Sequence, residues 1–260
     1  MSVAARLRAE SLEDRQAAIA EITAGGPAGD AELQALVECL AHPRKVVQRP
    51  AADAFAALAI RGIPVRAVLE PALTAAEFGQ RWGAAFALSR LGEPPPASVP
   101  VLLEALATGD GDVRWAAADI LLRVADRDDL VERLRSRVAS GTAAARKMAL
   151  YCLRDLDART PEIEAVVVRA LDDAERDVRL AAVSAIARLA LDRAGAAAGL
   201  VAVLEEDADE RVRRAAAAAL GAVGDRSDVV LGALEAASTG DDASLRRAAD
   251  GALRRLRAVP

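Results

Sequence analysis

One spacing constrains this chain more than any other feature. An apolar residue, then Arg, then a run of small residues recurs as Val113-Arg114, Ala145-Arg146, Val178-Arg179, Val212-Arg213 and Leu245-Arg246. Taking that Arg as an anchor and walking back adds Arg81, Gln48 and Arg15, so eight anchors stand at intervals of 33, 33, 33, 32, 33, 34 and 33 residues. A period this constant predicts a solenoid, because a unit of about 33 residues cannot bury its own apolar face and must stack on its neighbours to do so. We therefore expect a single array over residues 1–260, without a domain boundary.

Composition narrows the fold class to all α. The chain is rich in Ala and Leu, its aromatics are confined to Trp82, Trp115, Tyr151, Phe55, Phe78 and Phe86, and no run of alternating β-branched residues marks a strand. Amphipathic segments near residues 31–40, 65–73, 98–107, 130–138, 162–171, 196–204 and 228–237 precede the anchored segments, and repeat one keeps a shorter one near 3–10. Gly25-Gly26-Pro27, Gly92 to Pro96, Gly109-Asp110-Gly111 and Gly240-Asp241-Asp242 supply turns between them. Each repeat is thus expected to be a helix, a turn and a second, anchored helix. Pro50 falls where other repeats hold a small residue, and is expected to restart its helix; with Pro71 it is expected to bend repeats two and three.

The net charge is −5, and Lys occurs only at positions 45 and 147 although Arg is abundant. That balance counts against a duplex-binding protein. Cys39 and Cys152 have no paired spacing, which argues for neither a disulfide framework nor a zinc site. No apolar stretch reaches eighteen residues without charge, and Met1 to Glu10 lacks the apolar core of a signal peptide. A cytoplasmic protein without metal or cofactor is expected, and neither membrane nor nucleic acid as partner.

Placing 100° per residue on the anchored helix converts the alignment into faces. Positions one before the anchor and two, three, six, seven and ten after it are almost all Ala, Val, Leu or Ile, and form the core side. Six after the anchor, repeat one alone is charged, at Glu21; four after it, the last repeat alone is charged, at Asp250. Polar residues at those two positions are expected to cap the ends and keep the chain monomeric.

The best unit, Glu210 to Asp225 (ERVRRAAAAALGAVGD), resembles the HEAT-like repeats of the phycobilisome-lyase type, with their Val-Arg, alanines, Leu-Gly and closing Gly-Asp. The resemblance covers nearly the whole chain and implies a right-handed α-solenoid of about eight two-helix repeats. It also implies a ladder of Asp residues before the anchors. Asp173 and Asp207 fit, six residues before Arg179 and Arg213, whereas Thr108, Ser140, His42 and Ala75 stand elsewhere, so the ladder is expected to be partial. In such arrays the second helix lines the concave surface, so positions one, five and eight after each anchor should face the groove.

Those columns carry the functional hint. One after the anchor stand Trp82 and Trp115 in neighbouring repeats, with Phe86 and Asp119 a turn beyond. With helices ~8 to 10 Å apart, Trp82, Phe86, Trp115, Leu122 and Tyr151 would form a patch across roughly 20 Å. Such patches mark interaction sites, although the rings could instead lie over an adjacent helix as packing. Arg49, Lys147, Arg154, Arg214, Arg247 and Arg254 outnumber Asp53 and Asp119 in the same columns, so the groove is expected to be net positive. The candidate binding residues are Trp82, Phe86, Trp115, Asp119, Lys147, Tyr151 and Arg154, and the expected partner is a protein or peptide with acidic and apolar features.

Catalytic constellations are sparse. His42 is the only histidine and sits in a His-Pro turn, which leaves a triad without a matched nucleophile. The iron-dependent deoxyhypusine hydroxylases of this repeat class need several His-Glu pairs, which the chain lacks. Two alternatives follow from the resemblance. One is a bilin lyase or bilin-handling chaperone, in which aromatics would hold the tetrapyrrole and Arg its propionates. The other is an alkylpurine DNA glycosylase, which Trp115 and Asp119 with Lys147 or Arg154 loosely resemble. The reading that absorbs most of the residues is a noncatalytic interaction scaffold.

Overall fold

The computed structural model describes residues 1–258, and among them the regular structure is helical throughout. Eight helical pairs follow one another. In the first half they are α1 (Val3–Leu7) with α2 (Leu12–Thr23), α3 (Asp30–Leu40) with α4 (Lys45–Ile60), α5 (Arg66–Ala72) with α6 (Phe78–Ser89), and α7 (Val99–Ala105) with α8 (Gly111–Leu121). Then come α9 (Arg127–Ser140) with α10 (Ala143–Asp155), α11 (Pro161–Arg169) with α12 (Arg176–Leu189), α13 (Arg193–Glu206) with α14 (Glu210–Val223), and α15 (Asp228–Thr239) with α16 (Ala243–Ala258). The expected pairing of a first and an anchored helix in each repeat is what the chain adopts: an α-solenoid. It divides into two compact units, Met1–Leu130 and Val131 onward, the division falling inside α9.

In the first unit the anchored helices pack in sequence, α2 on α4, α4 on α6 and α6 on α8, each also on its own first helix. In the second unit α10 packs on α12, α12 on α14 and α14 on α16. The small residues three to seven after the anchor make this close stacking possible. Ala54, Ala87, Ile120, Cys152, Ala185, Ala219 and Ala252 are all buried, as are Ile19, Ala52, Ala85, Ala118, Leu150, Val183 and Ala217. Glu21 and Asp250, the charged exceptions in those two columns, are exposed.

The anchors share one job, which explains the spacing. Each reaches back to a carbonyl just at or beyond the end of its own repeat's first helix: Arg15 to Ala9, Gln48 to Leu40, Arg81 to Ala76, Arg114 to Thr108, Arg146 to Gly141, Arg179 to Asp173, Arg213 to Asp207 and Arg246 to Gly240. The distances are 2.5 to 2.9 Å. Carbonyls at a helix C-terminus lack an intrahelical donor and carry the negative end of the dipole, so a guanidinium satisfies both demands and the neutral Gln48 amide only the first. Asp110, Thr142, Asp192 and Asp209 cap the opposite ends, each accepting from backbone N–H groups of the following helix.

The partial ladder is present where the sequence placed it, with a sharper pairing than expected. Asp173 takes a two-pronged contact from Arg146 of the preceding repeat, with Nε and Nη2 both at 2.7 Å, while its backbone carbonyl serves its own Arg179. Asp207 repeats the arrangement with Arg179 at 2.7 and 3.0 Å. Burial alone would raise both carboxyls, but the Arg hydrogen bonds and a backbone N–H two residues on hold Asp173 and Asp207 below the ordinary value of 3.8.

One local expectation fails. Pro50 does not restart its helix, since α4 runs unbroken from Lys45 to Ile60. Lacking an N–H, Pro50 offers nothing to the Val46 carbonyl four residues earlier, and Gln16 of α2 supplies the donor instead, Nε2 to oxygen at 3.3 Å. A neighbouring repeat thus makes good the bond that would otherwise be missing.

Candidate interaction surface

Trp82, Phe86, Trp115 and Asp119 lie in the first unit, on α6 and α8. The two tryptophans occupy equivalent positions and meet opposite fates: Trp82 is 4% exposed and Trp115 is 54% exposed. Geometry around α6 gives the reason. Gly83, next to Trp82, stands so close to α3 that a Cβ there would lie 2.4 Å from the Leu40 carbonyl oxygen, and one at Gly79 would lie 3.4 Å from that of Ala41. A Cβ at Gly79 would make only an ordinary contact, whereas at Gly83 it would force the helices apart, so the glycine at 83 lets α6 sink toward the end of α3.

Sunk in this way, α6 is bridged by its neighbours. Lys45 at the start of α4 reaches Asp112 and Asp110 at the start of α8, at 2.6 and 3.2 Å, skipping the repeat between. Arg90 pairs with Asp53 at 2.8 Å, and Arg123 donates to the Ser89 carbonyl at 3.1 Å. Trp82 packs on Phe86 with ring centroids 5.7 Å apart. Both rings line a cavity of about 20 Å³ with Lys45, Gln48, Arg49, Asp112, Val113 and Ala116, room for about one water molecule and for no larger ligand. Trp82 is therefore a core residue of this unit, which corrects its placement on an open face. Phe86 is half-buried, whereas Trp115 and Asp119, one turn apart on α8, are exposed.

Lys147, Tyr151 and Arg154 lie in the second unit, on α10. Their cations are already engaged. Lys147 pairs with Asp177 at 2.9 Å; Arg154 pairs with Asp155 at 2.7 Å, donates to the Ser184 hydroxyl of α12 at 2.8 Å and lies over the Tyr151 ring at 4.9 Å. Lys147, Asp177, Arg176 and Asp209 form a chain of alternating charge across three repeats. The positive charge expected in these columns is thus partly neutralised by acidic residues outside them, which alignment of the columns alone did not weigh. Arg214, Arg247 and Arg254 remain exposed, and no ion pair holds them among the described residues.

The remaining reactive groups are built into structure. His42 Nδ1 accepts from the Arg44 backbone N–H at 3.1 Å and shapes the entry to α4. Cys39 and Cys152 are free and buried, and burial pushes the Cys152 thiol up to about 12, so it stays protonated at neutral pH. Among the described residues no group of three or more His, Cys, Asp or Glu is placed to hold a metal ion, and no helix is long and apolar enough to cross a membrane.

Comparison with known proteins places this geometry in a family. The chain matches no curated protein in sequence. Among solved structures it is similar to an engineered protein, at 24% identity and a TM-score of 0.52 over 99% of this chain and 78% of that one. It is also similar to Escherichia coli YibA, at 15% identity and a TM-score of 0.60 over 98% and 91%. Importin beta matches at 16% identity and a TM-score of 0.60, over 95% of this chain and 38% of that one. At these identities the likeness is one of fold. The model of HEAT repeats matches residues 33–122 and 163–254, well over half of the sequence, and the chain belongs to the HEAT-repeat family.

Proposed function

We propose that the protein is a noncatalytic, cytoplasmic interaction scaffold that binds a protein segment on its anchored-helix face. The observation that carries the reading is Trp115, 54% exposed in the middle of α8 while its equivalent one repeat earlier is buried. An exposed indole costs solvation, and a partner's apolar side chain would recover that cost by covering the ring. Asp119, one turn along and exposed, makes no ion pair among the described residues. The first unit therefore favours a segment with an apolar residue for Trp115 and a basic one for Asp119. Taken by itself, the second unit presents exposed Arg214, Arg247 and Arg254, which suit acidic residues, and a polar strip of Lys147, Tyr151 and Arg154.

The test is capture of partners by the full chain, with Trp115→Ala and, as a control on another surface, exposed Val229→Ala. A partner retained by wild type and by Val229→Ala but lost from Trp115→Ala supports the reading. A partner set unchanged by Trp115→Ala overturns it.

A further inference from the structure

The charged rungs of the second unit stop one place early. Asp173 and Asp207 stand six residues before the anchors Arg179 and Arg213, and six residues before the last anchor, Arg246, stands Gly240. The backbone at the three places is alike, with φ and ψ of −62° and 141° at Asp173, −64° and 133° at Asp207, and −69° and 173° at Gly240. Their carbonyls also act alike, accepting from Nη1 of Arg179, Arg213 and Arg246 at 2.9, 2.6 and 2.7 Å. Gly240 thus holds the place of a rung residue and lacks its carboxylate. Arg213 is the anchor that such a carboxylate would meet. In the two complete rungs Arg146 and Arg179 give Nη1 to a carbonyl of their own repeat, and the other edge of the fork, Nε and Nη2, to Asp173 and Asp207. Arg213, half-buried, makes the same Nη1 contact, but its Nε and Nη2 meet no carboxylate among the described residues. A guanidinium is a rigid plane, so fixing Nη1 also fixes the direction of that second edge.

Net charge does not set this place apart, since Arg214 and Arg246 are offset by Asp241 and Asp242 in the same turns. Asp242 spends its Oδ1 on the Ser244 and Leu245 N–H groups, at 2.7 and 3.1 Å, and makes no ion pair with Arg213. Nor does it bar a second carboxylate. Asp209 caps α14 in the same way, four residues before its anchor, and Arg179 holds Asp207 beside it. What Arg213 offers is direction: two parallel N–H donors in one plane, the match of the two oxygens of a carboxylate. We propose that Arg213, above Gly240, binds a carboxylate from an Asp or Glu side chain of a protein partner, which completes the third rung. The source of that carboxylate rests on the scaffold reading given above; the fork and its direction do not.

The experiment is a titration of the full chain, labelled with the heavy nitrogen isotope and followed through the Arg Nε–H resonances, with the Arg213 signal assigned by its loss in Arg213→Lys. The probes are a blocked pentapeptide with central aspartate in an alanine background, the same peptide with asparagine, and acetate. The aspartate peptide should move the Arg213 signal toward those of Arg146 and Arg179, at a half-saturating concentration roughly threefold or more below that of acetate. The asparagine peptide should leave it in place. Gly240→Asp builds the carboxylate into the chain, and a Cβ there comes no nearer than 3.7 Å to the Ala237 carbonyl oxygen, so the variant fits the fold. It should move the Arg213 signal in the same direction by itself and abolish the response to the aspartate peptide, whereas Gly240→Ala should keep that response. Equal movement by the asparagine peptide overturns the carboxylate, and equal half-saturation by acetate overturns the protein-borne source. A response that survives Gly240→Asp, or none to any probe, overturns the site. Trp115 lies in the other unit and takes no part in this titration, so failure here and failure of Trp115-dependent capture are separate results.

Discussion

In the second unit Arg146 and Arg179 each grip a carboxylate of the following repeat, so successive repeats are joined by charged rungs at equivalent positions. In the first unit the corresponding places hold His42, Ala75 and Thr108, and the equivalent rungs are missing. There Arg81 turns to Glu104 instead, α6 sinks against α3, and Trp82 fills the space beneath a Lys45–Asp112 bridge. The same helical pair is thus stacked by two kinds of interaction. One is periodic and directional, and tolerates a uniform alanine core. The other is aperiodic and depends on a large ring fitted to one recess.

The difference predicts where single substitutions hurt most. Trp82→Ala would empty the recess under α4 and α8, and should cost about 3–5 kcal/mol, the usual range for removing a large buried aromatic. Urea denaturation of the full chain, followed by far-ultraviolet circular dichroism, measures it. A loss below about 1 kcal/mol would mean that the recess collapses around the gap, and would break the contrast between the units.

The rungs should weigh less and respond to acid. Asp207→Ala leaves Arg179 Nε and Nη2 without their acceptor in a spot where the carboxylate was 4% exposed, and about 1–3 kcal/mol should be lost at neutral pH. Because the Asp207 carboxyl is held below its ordinary 3.8, its contribution is fully present above that value and disappears as pH falls through the lower folded value. The gap in stability between wild type and Asp207→Ala should therefore close on acidification below about pH 4. A gap that stays constant down to pH 2 would show that the rung acts by packing and not by charge. Thr108→Ala, at the matching place in the first unit, should show no such pH dependence.

How much of this was legible in the sequence follows from the same contrast. The anchors and the two rungs could be found because their contacts recur at a fixed interval, so eight copies of one contact leave one visible spacing. The fate of Trp82 could not, because it is decided by Lys45 and Asp112, 67 residues apart, and by the Leu40 carbonyl behind Gly83. Glycine at position 83, immediately after Trp82 on the third anchored helix, is the signal the sequence carries. The columns that hold Lys147 and Arg154 also misjudge their charge, because Asp177 and Asp155, which pair with them, lie outside those columns.

The smallest expected effect on stability is the one that decides function. Trp115 shares its column with Trp82, so a purely structural role would make Trp115→Ala costly as well. Its 54% exposure predicts a smaller loss, since less apolar area is removed from the interior than at the 4%-exposed Trp82. An interface aromatic that anchors a partner typically carries more than ~2 kcal/mol of binding energy, so the same substitution should abolish partner capture while lowering the urea midpoint less than Trp82→Ala does. Trp82→Ala should do the reverse, lowering stability far more and affecting binding only through the loss of folded protein. The pair of variants therefore separates two indoles that the repeat makes equivalent. If Trp115→Ala instead lowered stability by as much as Trp82→Ala, the exposed ring would be a packing element, and the binding face of the first unit would have to be sought elsewhere.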